Sequence, residues 1–375
     1  MRRLNMRLLA GTGLALVLAL VAIHTWSAAR LPLASYDGRV IWAFKAHVLF
    51  ERGTHADELH NPDFLIPHAD YPALLPLLAV EAATLLGYWS PSILAWICIC
   101  AFAATLYVLW WHARQSPVSL LVVAAWGLTP AYHLIHESCI RSGTADILVG
   151  FLVLVSAVCS VRAETGQLRL LYLAAGSATL GLAAATKFDG LMWAIAFIPI
   201  GMTLGGSDRE WLSRGMQTTA GCGIFAVAVA APWLRMTMEW SAEATEPYFY
   251  RLVTGAGLFD IGRWLTHAGQ MLAELLLRPD RASIPIWITI LAAGFAWRRG
   301  QLDRMNRAIM ATTGLFLLCL LGAFQVSPWP TGEQVPVTLY RLMSQIAPVM
   351  ALVSVRAVLA MEQPVPAKGN APVTA

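Results

Sequence analysis

The sequence predicts an all-α integral membrane protein, a polytopic bundle of about ten spanning helices with one re-entrant or interfacial helix and two long outer loops. Three observations carry this expectation. Of the 375 residues, 58% are hydrophobic and only 13% charged, against about 45–50% and about 25% in ordinary soluble domains, and the mean hydropathy is +0.61. The apolar residues run in continuous stretches near the ~20 residues that a spanning helix needs, not in the alternating pattern of a membrane barrel. The basic residues gather in alternate short loops. A net charge of +4 gives no ground for a nucleic-acid partner. Cys98, Cys100, Cys139, Cys159, Cys222 and Cys319 lie mostly in apolar runs and form no CxxC pair, so they read as small buried hydrophobes.

Taken in order, spans are expected near 7–26, 92–112, 117–135, 146–161, 169–186, 190–206, 216–234, 283–297, 308–325 and 341–361. Residues 1–361 then make one transmembrane domain with outer loops 27–91 and 235–282, followed by a short polar tail, 362–375. The first 29 residues also fit a cleaved signal peptide, because Arg2, Arg3 and Arg7 precede an apolar run ending in Ser27-Ala28-Ala29. The length of that run and the spans that follow favour a retained helix.

The stretch 72–89 is apolar but opens on Tyr71-Pro72, holds Glu81 at mid-length and breaks at Gly87-Tyr88-Trp89-Ser90-Pro91. A charge at the bilayer centre costs about 2.5–3.5 kcal/mol. Loop charge decides whether this stretch crosses, since basic residues in short loops favour the cytoplasm. If 72–89 does not cross, Arg114, Arg162, Arg209, Arg214, Arg298, Arg299, Arg304 and Arg307 all fall inside with the basic N-terminus, and the short outer loops keep only Arg141 and Lys187. If it crosses, that bias inverts. A non-crossing helix is therefore expected, with the N-terminus cytoplasmic and nearly every polar cluster on the extracytoplasmic face.

On that face, loop 27–91 opens with Ser35-Tyr36-Asp37-Gly38-Arg39. Asp37 sits just past the first span, where it can meet a lipid headgroup and a soluble substrate together. It reads as a general base for an acceptor hydroxyl, or as the N-cap of the helical run 40–50. His55, Asp57, Glu58, His60 and Asp63, then His68, Asp70 and Tyr71, are dense enough in imidazole and carboxylate to hold a divalent metal; no spacing is diagnostic, and a solvated loop is the plainer reading. Loop 136–146 carries His136, Glu137, Arg141 and Asp146. Asp146 either caps the helix it opens or gives a second acidic contact to a sugar or metal. In the turn Thr186-Lys187-Phe188-Asp189-Gly190, Lys187 either pairs with Asp189 or faces a phosphate. Arg341 and Gln345 share a helical face, and an arginine at the mouth of a span suits a lipid phosphate bound bidentately or simply snorkels. In loop 235–282, Trp264, Ala268, Met271 and Leu275 form one stripe and Arg263, His267, Gln270 and Glu274 another, the pattern of a helix lying flat in the interface as a lid or an anchor.

Taken together, these features resemble the polytopic GT-C glycosyltransferases, especially the bacterial relatives of the protein O-mannosyltransferases. The resemblance is carried by Asp37, the aromatic-basic helix that follows with Trp42 and Lys45, His68-Ala69-Asp70-Tyr71-Pro72, the stretch from Arg141 into Asp146, Thr186-Lys187-Phe188-Asp189-Gly190 and Arg341-Leu342-x-x-Gln345-x-x-Pro348. This sequence departs from the pattern at Gly38, where some members carry an acid, and at Ala73, where a second proline is common. The resemblance implies a polyprenyl-phosphate-linked sugar donor, an acceptor hydroxyl on a glycan, lipid or protein, and a bacterial inner-membrane location with an extracytoplasmic active face. It implies Asp37 as catalytic base and Arg341, with Lys187 and Gln345, on the donor phosphate. Asp146, Glu137, His68, Asp70 and Tyr71 become contacts to acceptor or sugar, or a second acidic site. No cofactor is required, a divalent metal being the one addition that the polar loop allows.

Two rivals predict differently. A lipid or solute carrier or flippase would place functional charges at mid-membrane. Another membrane transferase, an acyltransferase or polymer ligase, would use His68 or His136 as base and dispense with Asp37.

Overall fold

The computed structural model describes residues 2–53, 68, 71–133, 140–206, 210–240, 251, 254–255, 257–281, 283–329 and 333–363. Among them are fourteen α-helices and no strand. Helix α1 (Arg2–Ala28) leads to a π-helical turn, Gly38–Ala43, that runs directly into α2 (Phe44–Arg52). Then come α3 (Leu74–Leu86), α4 (Ser92–Ala113), α5 (Pro117–Gly127), α6 (Asp146–Thr165), α7 (Arg169–Thr186), α8 (Phe188–Ala196), α9 (Ile198–Leu204) and α10 (Trp211–Trp240). The last four are α11 (Ile261–Leu277), α12 (Ser283–Arg298), α13 (Arg304–Val326) and α14 (Gln334–Glu362).

Local chemistry sets many of these boundaries. Ser116 accepts a hydrogen bond from Ser119 N and Pro117 follows it, a capped start for α5. Asp303 and Asp260 cap α13 and α11 in the same way. Among the described residues, five helices are long and apolar enough to cross a bilayer: Leu4–Ala28, Ser92–Ala113, Asp146–Glu164, Arg304–Val326 and Thr338–Glu362. Leu74–Leu86, Pro117–Gly127, Phe188–Leu204 and Ser283–Arg298 are apolar but shorter. Two expected spans thus prove interrupted. The stretch 117–135 holds 11 residues of α-helix before a 3₁₀ turn, Pro130–Tyr132, where the proline cannot donate to the helical ladder. The stretch 190–206 divides at Phe197, with Pro199 in the first turn of α9.

Contacts between loops assign the helix ends. A Cβ on Gly143 would lie 3.0 Å from Leu33 and 3.4 Å from Leu94, and the Cys98 thiol donates to the Thr144 carbonyl over 3.3 Å. The exit of α1, the start of α4 and the loop before α6 therefore share one end of the bundle. Segment 29–91 leaves and returns at that end. Its helix α3, 13 residues and about 20 Å at 1.5 Å per residue, falls short of the ~30 Å hydrocarbon core, and Glu81 on it is exposed. At the opposite end, Ser116 Oγ donates to Glu362 Oε1 (2.7 Å), Arg304 pairs with Glu164 (2.8 Å), Arg356 with Asp303 (2.8 Å), and Arg169 donates to the Leu204 carbonyl (2.6 Å). The arginine-bearing loops meet there, as the charge pattern required, and several acids join them.

The centre of the bundle is α6, packed on α4, α7 and α14. Among the five long apolar helices α14 is the most deeply buried. The flat helix differs from the sequence reading. Met271 and Leu275 are buried, but so are His267 and Glu274, while Ile261, Leu265 and Leu272 face outward. Arg263 turns inward because the last carbonyls of α13 lack helical partners; it donates to Phe324 O (3.3 Å) and Ser327 O (2.6 Å). Cys100 likewise is exposed, not buried.

Candidate active site

Four elements bring ionisable groups to the bundle end where α1 exits. Asp37 precedes the π-helical turn, Asp146 is the first residue of α6, Lys187 and Asp189 flank the start of α8, and Arg341 lies two turns into α14. The turn after Asp37 is held by Gly38, whose amide donates to Ser35 Oγ (3.0 Å) and on which a Cβ would stand 2.0 Å from the Ser142 carbonyl oxygen. Only glycine admits that approach of backbone to backbone.

The Arg341 guanidinium forms an ion pair and hydrogen bond with Asp37. Its Nε lies 3.3 Å from Asp146 Oδ2, near enough for attraction but without hydrogen-bond alignment. Lys187 Nζ contacts Asp146 Oδ1 at 2.7 Å and Asp189 Oδ2 at 2.8 Å. Gln345 Nε2 donates to both carboxylates, over 2.8 Å and 3.1 Å. The Trp193 indole N–H in turn donates to Gln345 Oε1 (3.2 Å) and so fixes which way the amide points; Trp193 itself stacks on Phe316 with ring centroids 4.0 Å apart. Burial alone would pull the Lys187 ammonium down, but the two carboxylates outweigh it and its pKa is raised.

Beside the cluster, Tyr71 packs edge-on against Phe188 at 5.6 Å and, with the rings tilted by 35°, against His68 at 4.5 Å, within electrostatic reach of Arg341. The buried Lys45 side chain donates to the carbonyls of His68 (3.0 Å) and Tyr71 (2.9 Å) and so ties their turn to α2.

The structure thus gathers Asp37, Asp146, Lys187, Arg341 and Gln345 into one network and sets Tyr71 and His68 at its edge. Asp70, Glu137 and His136 lie outside the described residues, as do His55, Asp57, Glu58, His60, Asp63 and tail residues 364–375. Neither Asp37 nor Asp146 serves as a helix cap: Asp37 makes no side-chain cap bond, and the Asp146 carboxylate is taken up by Lys187 and Gln345. Lys187 pairs with Asp189 and also with Asp146. Asp189 and Trp193 were absent from the sequence-based site, although their spacing of four on α8 puts both on one face. Among the described residues no group of three or more His, Cys, Asp or Glu is arranged to hold a metal ion. The network's ion pairs gather at the end of the bundle where α1 exits, whereas a carrier is expected to place its functional charges at mid-membrane.

A polytopic helical bundle with a buried charge network at one end defines the class. No protein-family model matches the sequence, and no curated protein matches it. Two solved structures share the fold. ArnT from Cupriavidus metallidurans bound to undecaprenyl phosphate aligns with a TM-score of 0.55 at 15% identity, over 94% of this chain and 60% of that one. The same protein in the apo state aligns at 0.58 and 14% identity, over 95% and 61%. The all-α, polytopic architecture expected from the sequence is therefore observed and is shared with ArnT, of whose length this chain spans about 60%.

Proposed function

We propose that this protein is a membrane glycosyltransferase that moves a sugar from a polyprenyl-phosphate carrier to an acceptor hydroxyl. The single observation that carries the reading is the meeting of a carboxylate, Asp37, and a guanidinium, Arg341, at one end of a bundle whose fold is shared with a protein that binds undecaprenyl phosphate. In the proposed step the acceptor O–H loses its proton to the Asp37 carboxylate as its oxygen forms a bond to the anomeric carbon. The bond from that carbon to the phosphate oxygen breaks, its electron pair leaves with polyprenyl phosphate, and Arg341 with Lys187 stabilises the charge that develops. In-line attack inverts the anomeric centre. Gln345 orients the inner carboxylates, while Tyr71 and His68 line the approach for sugar or acceptor. The reading assigns leaving-group stabilisation to side chains and does not call on a metal. Basic loops at the far end of the bundle support an inner-membrane protein with a cytoplasmic N-terminus and the Asp37 end outside. A headgroup site at the membrane surface lets the carrier chain stay in lipid while the sugar meets an acceptor in water.

The test is to incubate the purified chain with a panel of polyprenyl-phosphate pentoses and hexoses and measure release of free lipid phosphate. Release from one or more donors, lost in Asp37→Asn, is expected; no release from any donor overturns the reading.

A further inference from the structure

Both cations of the network are already engaged. Lys187 holds Asp146 and Asp189, and Arg341 holds Asp37 and lies against Asp146. A donor phosphate therefore finds no open cation, and Asp37 cannot act as a base while its carboxylate is bound to a guanidinium. One contact has to open. The side chains of Asp146 and Lys187 are 2% and 8% exposed, whereas those of Asp37 and Arg341 are 29% and 18% exposed. The outer pair is the one a ligand can reach. Asp37 also has the means to leave. Its backbone is fixed by the close packing of Gly38 on Ser142, but its carboxylate makes no cap bond and is held by Arg341. A side-chain rotation releases it without moving the chain, whereas releasing Asp146 would strand a buried charge. The guanidinium fork suits a tetrahedral phosphate at least as well as a carboxylate.

We propose that Asp37 and the phosphate of the lipid-linked donor compete for Arg341, so that donor binding frees the Asp37 carboxylate and the acceptor is used productively only after the donor is in place. The exchange rests on the glycosyltransferase reading above and adds an order of binding to it. The donor itself uncovers the base, and the resting site stays silent toward acceptor or water.

The test measures affinity, not turnover. A polyprenyl monophosphate is titrated into the detergent-purified full chain, as wild type, Asp37→Asn, Asp37→Ser and Glu81→Gln. Removing the competing carboxylate should tighten binding about tenfold in both Asp37 variants, a free-energy gain of about 1.4 kcal/mol. Glu81→Gln removes the same charge from an exposed position outside the network, and should stay within about twofold of wild type. Equal or weaker binding by the Asp37 variants overturns the exchange, and so does equal tightening by Glu81→Gln, which would reduce the effect to net charge. Asp37→Ser preserves the test if Asp37→Asn fails to fold. If wild type releases lipid phosphate from a donor while Asp37→Asn binds no tighter, the exchange fails and the transferase reading stands. If no donor is turned over, the transferase reading fails first.

Discussion

Gly150 of α6 lies so close to α14 that a Cβ on it would stand 2.4 Å from the Ser344 carbonyl oxygen. One turn earlier on α6 is Asp146, and the residue after Ser344 is Gln345, whose amide donates to Asp146 over 2.8 Å. The tight crossing sets the distance between the two helices that hold the network. Gly150→Val should force them apart, costing about 1–3 kcal/mol through overpacking. Turnover should fall more steeply than stability, as read by lipid-phosphate release beside a thermal melt. Unchanged turnover would show that the crossing does not position the site.

Asp37→Asn keeps the shape of the side chain and removes its ability to take a proton. A general base contributes about 10²–10⁴ in rate, so transfer should fall by at least about a hundredfold with the thermal midpoint near that of wild type. Near-normal turnover would remove the assignment.

Arg341→Lys keeps the charge and loses the fork. Since lysine cannot reproduce a bidentate contact, the donor KM should rise and kcat fall, while the acceptor KM moves little. Equal loss for both substrates would point to a structural role instead.

The inner ion pair makes a stability prediction. Lys187 is the cation that the Asp146 and Asp189 carboxylates share, and leaving buried charges unpartnered costs about 3–5 kcal/mol, so Lys187→Met should lower the thermal midpoint markedly, and pairing it with Asp146→Asn should recover part of the loss. The raised Lys187 pKa fixes the pH dependence. Its stabilisation is complete below the ordinary lysine value of 10.5 and is lost only as pH climbs through the higher folded value. Wild type should therefore show an alkaline loss of stability above about pH 10.5 that Lys187→Met lacks.

Sidedness is testable by cysteine labelling. Trp89 precedes α4 at the Asp37 end, and Gln115 lies in the loop at the opposite end. In a background with Cys100 replaced, Trp89→Cys should label from outside the cell and Gln115→Cys only after permeabilisation. The reverse pattern would place the network in the cytoplasm.

Sequence alone determined that this chain is a helical membrane protein and which loops gather at one end of the bundle, because apolar run length and loop charge are local properties written residue by residue. It also marked Asp37, Asp146, Lys187 and Arg341, since an ionisable group at the end of an apolar run stands out against its surroundings, and Gln345, which falls four residues after Arg341 on the same helical face. Tertiary structure decided what those groups do to one another. Asp37 and Arg341 lie 304 positions apart, and no periodicity relates them. Whether Asp146 caps its helix or joins an ion network depends on which helix crosses α6 at Gly150. The outward face of α11 was equally beyond the sequence, because Arg263 turns inward to carbonyls at the end of α13 and Glu274 to Arg281, demands that exist only once these elements are packed together.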